Sequence, residues 1–383
     1  MSPVFTPDEY RSRTTAAQTL MAAAGLDALF LTTEADIRYF TGYLTRFWES
    51  PTRPWFLVLP AQGAPVAVIP AIGAHLMGQS WISDIRTWAA PDYSDDGITL
   101  LADTLLELTA SGAQIGVPSG LETHLRMPLN NWHNLKALLS SRQFTDDAGI
   151  LQSLRAVKSE AEIEAIRNAC AIASRAFARL PEIAGKGARL AEVFRRFQML
   201  CLDEGADWVA YLAGGAGQGG YGDVISPASD LPLEEGDVLM LDTGLVRNGY
   251  FCDFDRNFSI GPPRPQTRAH HAKLIEATHA GFEAARIGAT PADLFHAMDN
   301  VLTGGQSGAE AGRFGHGLGM QLTEGVSIIP ADHTPLQAGM VLTLEPGISV
   351  AEGKIMVHEE NIVIREGGAE WLSSPADPEI IEL

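Results

Sequence analysis

LDTGLVRNGYFCDFDR, residues 241–256, places Asp242, Asp253 and Asp255 in two strand-like runs on either side of Asn248-Gly249. Asn-Gly between alternating apolar residues signals a two-residue type I′ hairpin. That turn sets Asp255 across from Asp242 and Asp253 across from Gly244; a looser turn would set Asp253 opposite Asp242. In either register all three carboxylates share one face, because strand side chains alternate with period two. Like charges this close call for a proton or a cation to offset their repulsion. A solvated hairpin face is the competing reading.

Other segments supply partners. Gly315-His-Gly317 sets an imidazole between two glycines, where backbone can approach closely. Leu342-Thr-Leu-Glu345-Pro-Gly ends an apolar strand on a carboxylate, and Met356-Val-His-Glu359-Glu-Asn-Ile-Val-Ile364 sets a second acidic pair between apolar runs. Two aspartates, a histidine and two glutamates in such settings make a ligand set for two divalent metals about 3.5 to 4 Å apart.

Composition narrows the class. The 383 residues are 46% hydrophobic and 19% charged, enough for one large core or two. A net charge of −20 leaves no basic surface for a phosphate backbone, so a nucleic acid is not expected as a partner. No apolar run approaches the roughly 18 residues of a membrane span, and MSPVFTPDEY lacks a signal-peptide pattern. Cys170, Cys201 and Cys252, scattered and odd in number, argue against a disulfide framework and fit a reducing cytoplasm.

Two domains are expected, 1–148 and 149–383. The first alternates helical stretches with the apolar runs 28–32, 55–59, 66–69 and 115–117, which predicts an α/β domain with a mixed sheet. No glycine fingerprint follows its first strand, which speaks against a dinucleotide. The second opens on a capping-box pattern at Ser159-Glu-Ala-Glu162 and a long helix, with further helices over 190–203, 267–286 and 291–302. Interleaved strands over 238–245, 250–260, 341–345 and 355–365 predict an α+β domain with helices on one face of a mostly antiparallel sheet. Gly214-Gly-Ala-Gly-Gln-Gly-Gly220 lacks a following Lys-Ser or Lys-Thr and is read as a flexible loop.

The order Asp242, Asp253, His316 in Gly-His-Gly, Glu345 in Leu-Glu-Pro-Gly, and Glu359 before an Ile-Val-Ile run resembles the pita-bread metallopeptidase superfamily. With the preceding α/β domain, the resemblance is to its Xaa-Pro aminopeptidase, prolidase and creatinase branch. It implies a C-terminal pita-bread domain and a dinuclear-metal hydrolase whose metal-bridged hydroxide attacks an amide carbonyl. It further implies two divalent ions (manganese foremost, with cobalt, zinc or iron as alternatives) bridged by Asp253 and Glu359. Asp242 would complete one metal, and His316 and Glu345 the other, with Glu345 also shuttling protons. Choosing Glu359 over Glu360 rests on matching Asn361-Ile-Val-Ile to the family's closing strand. Asp255 stands where the family usually has threonine, and is either a group supporting the ligands or an extra ligand. A cytoplasmic homodimer acting on a dipeptide or small molecule is also implied.

The chain departs from that pattern in its proton handling. Thr323 stands seven residues after His316, where the peptidases keep a histidine, and a further family histidine ahead of Gly236-Asp237 is replaced within Val224–Ser229. Losing donors aimed at developing charge typically costs about 10² to 10³ in rate. Thr323, Ser226, Tyr221 and His358 are the candidate replacements. The alternative is a non-peptidase acting on a small zwitterionic metabolite by C–N hydrolysis or elimination. Arg46, Trp48 and Arg53, in the aromatic loop 38–55, are candidates to hold a substrate carboxylate and stack on a cation or ring; a surface loop with an aromatic core anchor is the competing reading.

Overall fold

Ala148 (φ 56°) and Gly149 (φ 68°) turn the chain where the sequence suggests a boundary, yet the helix Ile150–Ala156 carries the first unit further. Tyr39 donates to the Leu154 carbonyl (3.4 Å) and Gln152 to that of Leu121 (3.0 Å). One compact unit therefore ends at Leu154 and the other runs from Arg155 to Leu383, rather than dividing at 148. The computed structural model describes residues 5–50, 54–307 and 312–383. Among them, no helix is long and apolar enough to cross a membrane.

The first unit is built on one mixed sheet of β1 (Ala28–Leu31), β2 (Phe56–Pro60), β3 (Val66–Pro70), β4 (Asp84–Trp88), β5 (Gln114–Val117) and β6 (Gln143–Asp146), in the order β4-β3-β2-β1-β5-β6. The four apolar runs of the sequence are β1, β2, β3 and β5. The edge strands β4 (DIRTW) and β6 (QFTD) escape a hydrophobicity pattern because they are only partly covered. Phe30, Phe56 and Val58 pack with Leu101 and Leu105 of the helix Ile98–Leu108.

In the second unit, Ser159 and Glu162 form the expected reciprocal cap of the helix Glu160–Ala178, and Thr290 with Asp293 does the same for Pro291–Thr303. A sheet of β7 (Trp208–Gln218), β8 (Asp237–Arg247), β9 (Tyr250–Phe251), β10 (Phe254–Ser259) and β16 (Ile381–Glu382) is ordered β16-β10-β8-β7, with β9 on β8. β11 (Val341–Leu344), β14 (Glu360–Arg365) and β15 (Gly368–Trp371) form a second sheet, and β12 (Gly347–Ala351) pairs β13 (Lys354–Val357). Period two divides β10 between two environments. Phe254 and Phe258 turn to Phe177 of the helix Glu160–Ala178, with ring centroids 5.5 and 6.4 Å apart; Asp253, Asp255 and Asn257 alternate to the other side.

The glycine run at 214 is a correction. Gly214 to Gln218 belong to β7 and pair with β8 from Leu241 to Asp237. Gly214, at φ 143°, lies so close to β8 that a Cβ there would stand 2.1 Å from the Met240 carbonyl oxygen. Tertiary pairing overrides the poor strand propensity of glycine here.

The segment after His316 is tied down from the start of this unit. Glu324 is buried and takes Lys158 Nζ at 3.0 Å and the Arg155 guanidinium, which also donates to Gln321 (2.7 Å). Burial works against the Glu324 charge, but the two cations hold its carboxyl down at about 2.

Two stability predictions follow from this packing. Gly214→Ala should cost on the order of 3 kcal/mol through overpacking and backbone strain, read as a lower denaturant midpoint. Glu324→Gln should cost about 3 kcal/mol at pH 7, because it leaves buried cations unpaired. The folded Glu324 titrates below its unfolded value, so its contribution is full above that value and fades as pH falls from about 5 toward 2. Denaturant unfolding at pH 7 and pH 3 should therefore show the gap between wild type and variant closing on the acid side.

Candidate metal centre

Asn248 (φ 54°) and Gly249 (φ 80°) make the tight turn between β8 and β9, and the resulting register pairs Asp255 with Asp242. The expected single strand over 250–260 is interrupted. β9 ends at Phe251 and β10 starts at Phe254, leaving Asp253 without ladder partners. Asn361 replaces them: its Oδ1 accepts from the Asp253 N–H (3.0 Å) and its Nδ2 donates to the Asp253 carbonyl. The expected strand over 355–365 is likewise broken between Val357 and Glu360, and Glu359 lies in that gap.

His316 is threaded between two backbone layers. A Cβ on Gly315 would meet the Thr343 carbonyl oxygen at 2.2 Å, and one on Gly317 the Glu324 carbonyl oxygen at 2.0 Å. Only glycine fits either place. The His316 Nδ1–H donates to the Gly317 carbonyl (3.0 Å), which leaves the Nε2 lone pair facing Asp253 Oδ2 at 3.4 Å and Glu359 Oε1 at 4.0 Å. One ligand atom from each of Asp253, His316 and Glu359 lies within 4.8 Å of the others. Glu345 follows β11, its N–H bonded to the Phe314 carbonyl (2.9 Å), and is partly exposed.

The carboxylates divide by partner. Burial first, then Asp253, Glu345 and Asp255, push Asp242 well above the usual carboxylate range; burial and the charges of Asp253, Glu345 and Asp242 do the same to Glu359. Asp253 is raised by burial, and Glu345 is pushed up to about 7, chiefly by burial. Asp242 Oδ1, Asp253 Oδ1 and Glu359 Oε1 are buried without a hydrogen-bond donor among the described residues. Glu360 behaves otherwise. Burial opposes its charge, but Arg256 at 3.0 Å, His358 at 3.3 Å, the Ser373 hydroxyl and the Ala376 N–H (2.7 Å) hold it down at about 2. Its oxygens are committed, whereas Glu359 keeps one uncommitted. A donor-poor group of carboxylates around one imidazole lone pair fits a divalent cation.

The remaining candidates scatter. His358 is enclosed between Asp255 (3.4 Å) and Glu360, which raise it above its ordinary value although burial works the other way. Asp255 thus turns to a histidine, and burial raises it against that pairing. Thr323 is partly exposed and accepts from Arg313 Nη2 (3.3 Å). Tyr221 is 1% exposed, its hydroxyl bonded to Asn257 (3.2 Å) and the Val357 N–H (2.7 Å), so it braces β13 rather than facing a substrate. Ser226 bonds Asp223 (2.8 Å) in an exposed turn. In the first unit, Arg46 pairs with Glu49 (2.6 Å), and Trp48 is buried against Tyr43 and Trp55, so the core-anchor reading of its ring prevails over substrate stacking. Arg53 lies outside the described residues.

Three residues here escape sequence patterning. Tyr211, on β7, has its hydroxyl raised well above the ordinary value by burial and then by the charges of Asp242, Asp253, Glu359 and Glu345. Asn361 shows in sequence only as a polar residue opening an apolar strand. Arg313 precedes His316 by three residues, with nothing but its charge to mark it.

Comparison with known proteins agrees with this architecture. Residues 164–366 match metallopeptidase family M24, and residues 13–157 match the creatinase/prolidase N-terminal domain. A "probable dipeptidase PepE" of Mycobacterium bovis is 31% identical over 375 residues, covering 95% of this chain and 94% of the relative. An Xaa-Pro dipeptidase of Pyrococcus furiosus is 31% identical over 245 residues, 63% of this chain and 69% of the relative. The crystal structure of dipeptidase PepE from Mycobacterium ulcerans superposes with a TM-score of 0.84 at 30% identity, covering 99% of both chains. The mixed-sheet domain is thus a creatinase/prolidase N-terminal domain, and the pita-bread domain with its Asp/His/Glu group is that of metallopeptidase family M24, to which this chain belongs.

Proposed function

We propose that this chain is a metal-dependent dipeptidase of the prolidase type, cleaving the amide bond of short peptides as a cytoplasmic homodimer. Asp242, Asp253, His316, Glu345 and Glu359 would hold two divalent ions, manganese foremost. The observation that carries this reading is the approach of Asp253 Oδ2 (3.4 Å) and Glu359 Oε1 (4.0 Å) to the Nε2 of His316, with Asp253 Oδ1 and Glu359 Oε1 buried and without a donor among the described residues. The dipeptidase and Xaa-Pro dipeptidase relatives support a peptide as the substrate.

Bound divalent ions would supply Lewis acidity, polarising the scissile carbonyl and making a water molecule acidic near neutral pH. The chain's own residues do the rest. The Gly317 carbonyl fixes the His316 tautomer, and Asn361 fixes the Asp253 backbone. Glu345, the most open of the five, would take a proton at its carboxylate and return it to the departing nitrogen. Thr323, held by Arg313 at the rim, keeps a hydroxyl hydrogen to donate where the family's histidine is absent. His358 has no such freedom, enclosed as it is between two carboxylates.

Asp253→Ala and His316→Ala should each lose bound metal and at least about 100-fold in turnover of an Xaa-Pro dipeptide, with far-ultraviolet circular dichroism little changed. Manganese should raise the melting temperature of the wild type but not of these variants. Undiminished activity in either variant would remove the metal from the account. Two bound ions with no turnover of any short peptide, but activity on a small zwitterion, would remove the peptide. Asn361→Leu should weaken manganese binding by about 10- to 100-fold while leaving the ligands themselves intact, measured by competition with a chelating dye.

A further inference from the structure

Arg313 differs from the other cations in the neighbourhood of the carboxylate cluster. Arg256 spends its guanidinium on the Asp255, Glu359 and Ser374 carbonyls and on Glu360. Arg155 and Lys158 close on Glu324. Arg313 is exposed, and its one hydrogen bond among the described residues is the 3.3 Å contact to Thr323. Among the described residues no carboxylate salt bridge holds it, although the chain carries 47 acidic residues against 27 Lys and Arg.

Its backbone position is well determined. The next residue, Phe314, is buried; its N–H bonds the Ile328 carbonyl and its carbonyl accepts from the Glu345 N–H, each at 2.9 Å. Arg313 therefore sits at the margin of the layer that carries both His316 and Glu345.

A short peptide with a free C-terminus brings a negative charge toward a cluster of carboxylates. A cation at the rim is needed to offset that approach, and a guanidinium matches a carboxylate with two parallel N–H bonds. Resting on the dipeptidase reading, we propose that Arg313, steadied by Thr323, binds the free carboxylate of the substrate and so restricts this chain to short, free-acid peptides. The loop candidates do not serve as well on what their own unit contains: Arg46 is paired with Glu49 and Trp48 is buried in aromatic packing.

The test uses the manganese-loaded, full-length protein and the variants Arg313→Met and Arg313→Lys, with metal content checked in each. An Xaa-Pro dipeptide is compared with its C-terminal amide in kcat and KM, and L-proline with L-prolinamide in calorimetric titration. The wild type should favour the free acids. Arg313→Met should raise KM on the order of 10- to 100-fold more for the acid than for the amide, any loss of support for Thr323 lowering kcat for both alike, and should abolish the preference for proline over prolinamide; Arg313→Lys should recover part of it. An equal rise in KM for acid and amide, or no rise, would overturn the role given to Arg313. If the wild type cleaved no short peptide, the dipeptidase reading would fail. The titrations would still decide Arg313, since a wild type that binds prolinamide as well as proline has no carboxylate anchor.

Discussion

Burying several carboxylates in one place is the constraint on which the second unit depends. Burial raises the cost of ionising Asp242, Asp253, Glu345 and Glu359, the neighbouring carboxylates add to it at Asp242, Glu345 and Glu359, and little positive charge is set against them. Such a cluster is tolerable only if its geometry is held by other means until a cation arrives. The glycines around His316 let two backbone layers close on it, and Asn361 restores the hydrogen bonds that the strand break takes from Asp253.

Glu324 and Glu360 are a control supplied by the same molecule. They are buried, as Glu359 is, yet both stay ionised far below the ordinary range, because Arg155 with Lys158, and Arg256 with His358, surround them. Burial alone therefore does not mark a functional carboxylate. The mark is burial without compensation, and by that measure the adjacent residues Glu359 and Glu360 belong to different classes. Glu360 fastens Arg256 and the segment around Ser373 and Ala376 behind the site.

Local chemistry made much of this legible. Asn248-Gly249 dictated the turn and the pairing of Asp255 with Asp242, and Ser159 announced its helix through its cap. Family resemblance located the five ligand candidates, whose roles no composition or periodicity could assign. What stayed hidden depended on distant chain. Gly214–Gln218 is a strand because β8 lies against it, and Tyr221 and Trp48 are core residues because of partners that no local pattern reveals. The breaks at Asp253 and Glu359 were invisible for a related reason. Both lie in apolar runs that read as continuous strand, and the side chain that compensates one of them lies more than a hundred residues away.

That last separation bears on how the molecule acquires its site. Asp253 reaches its final backbone geometry only once Asn361 has arrived, and Asn361 is itself held through its N–H by Ser373, near the C-terminal end of the chain. Closing so long a loop is entropically expensive and belongs late in folding. During synthesis, the hairpin can form from its own turn well before the carboxylates are brought into register with Glu359. A nascent chain thus carries its metal-seeking groups in an unfinished arrangement, and competence to select a cation is conferred by the final strands rather than by the segment that bears the aspartates.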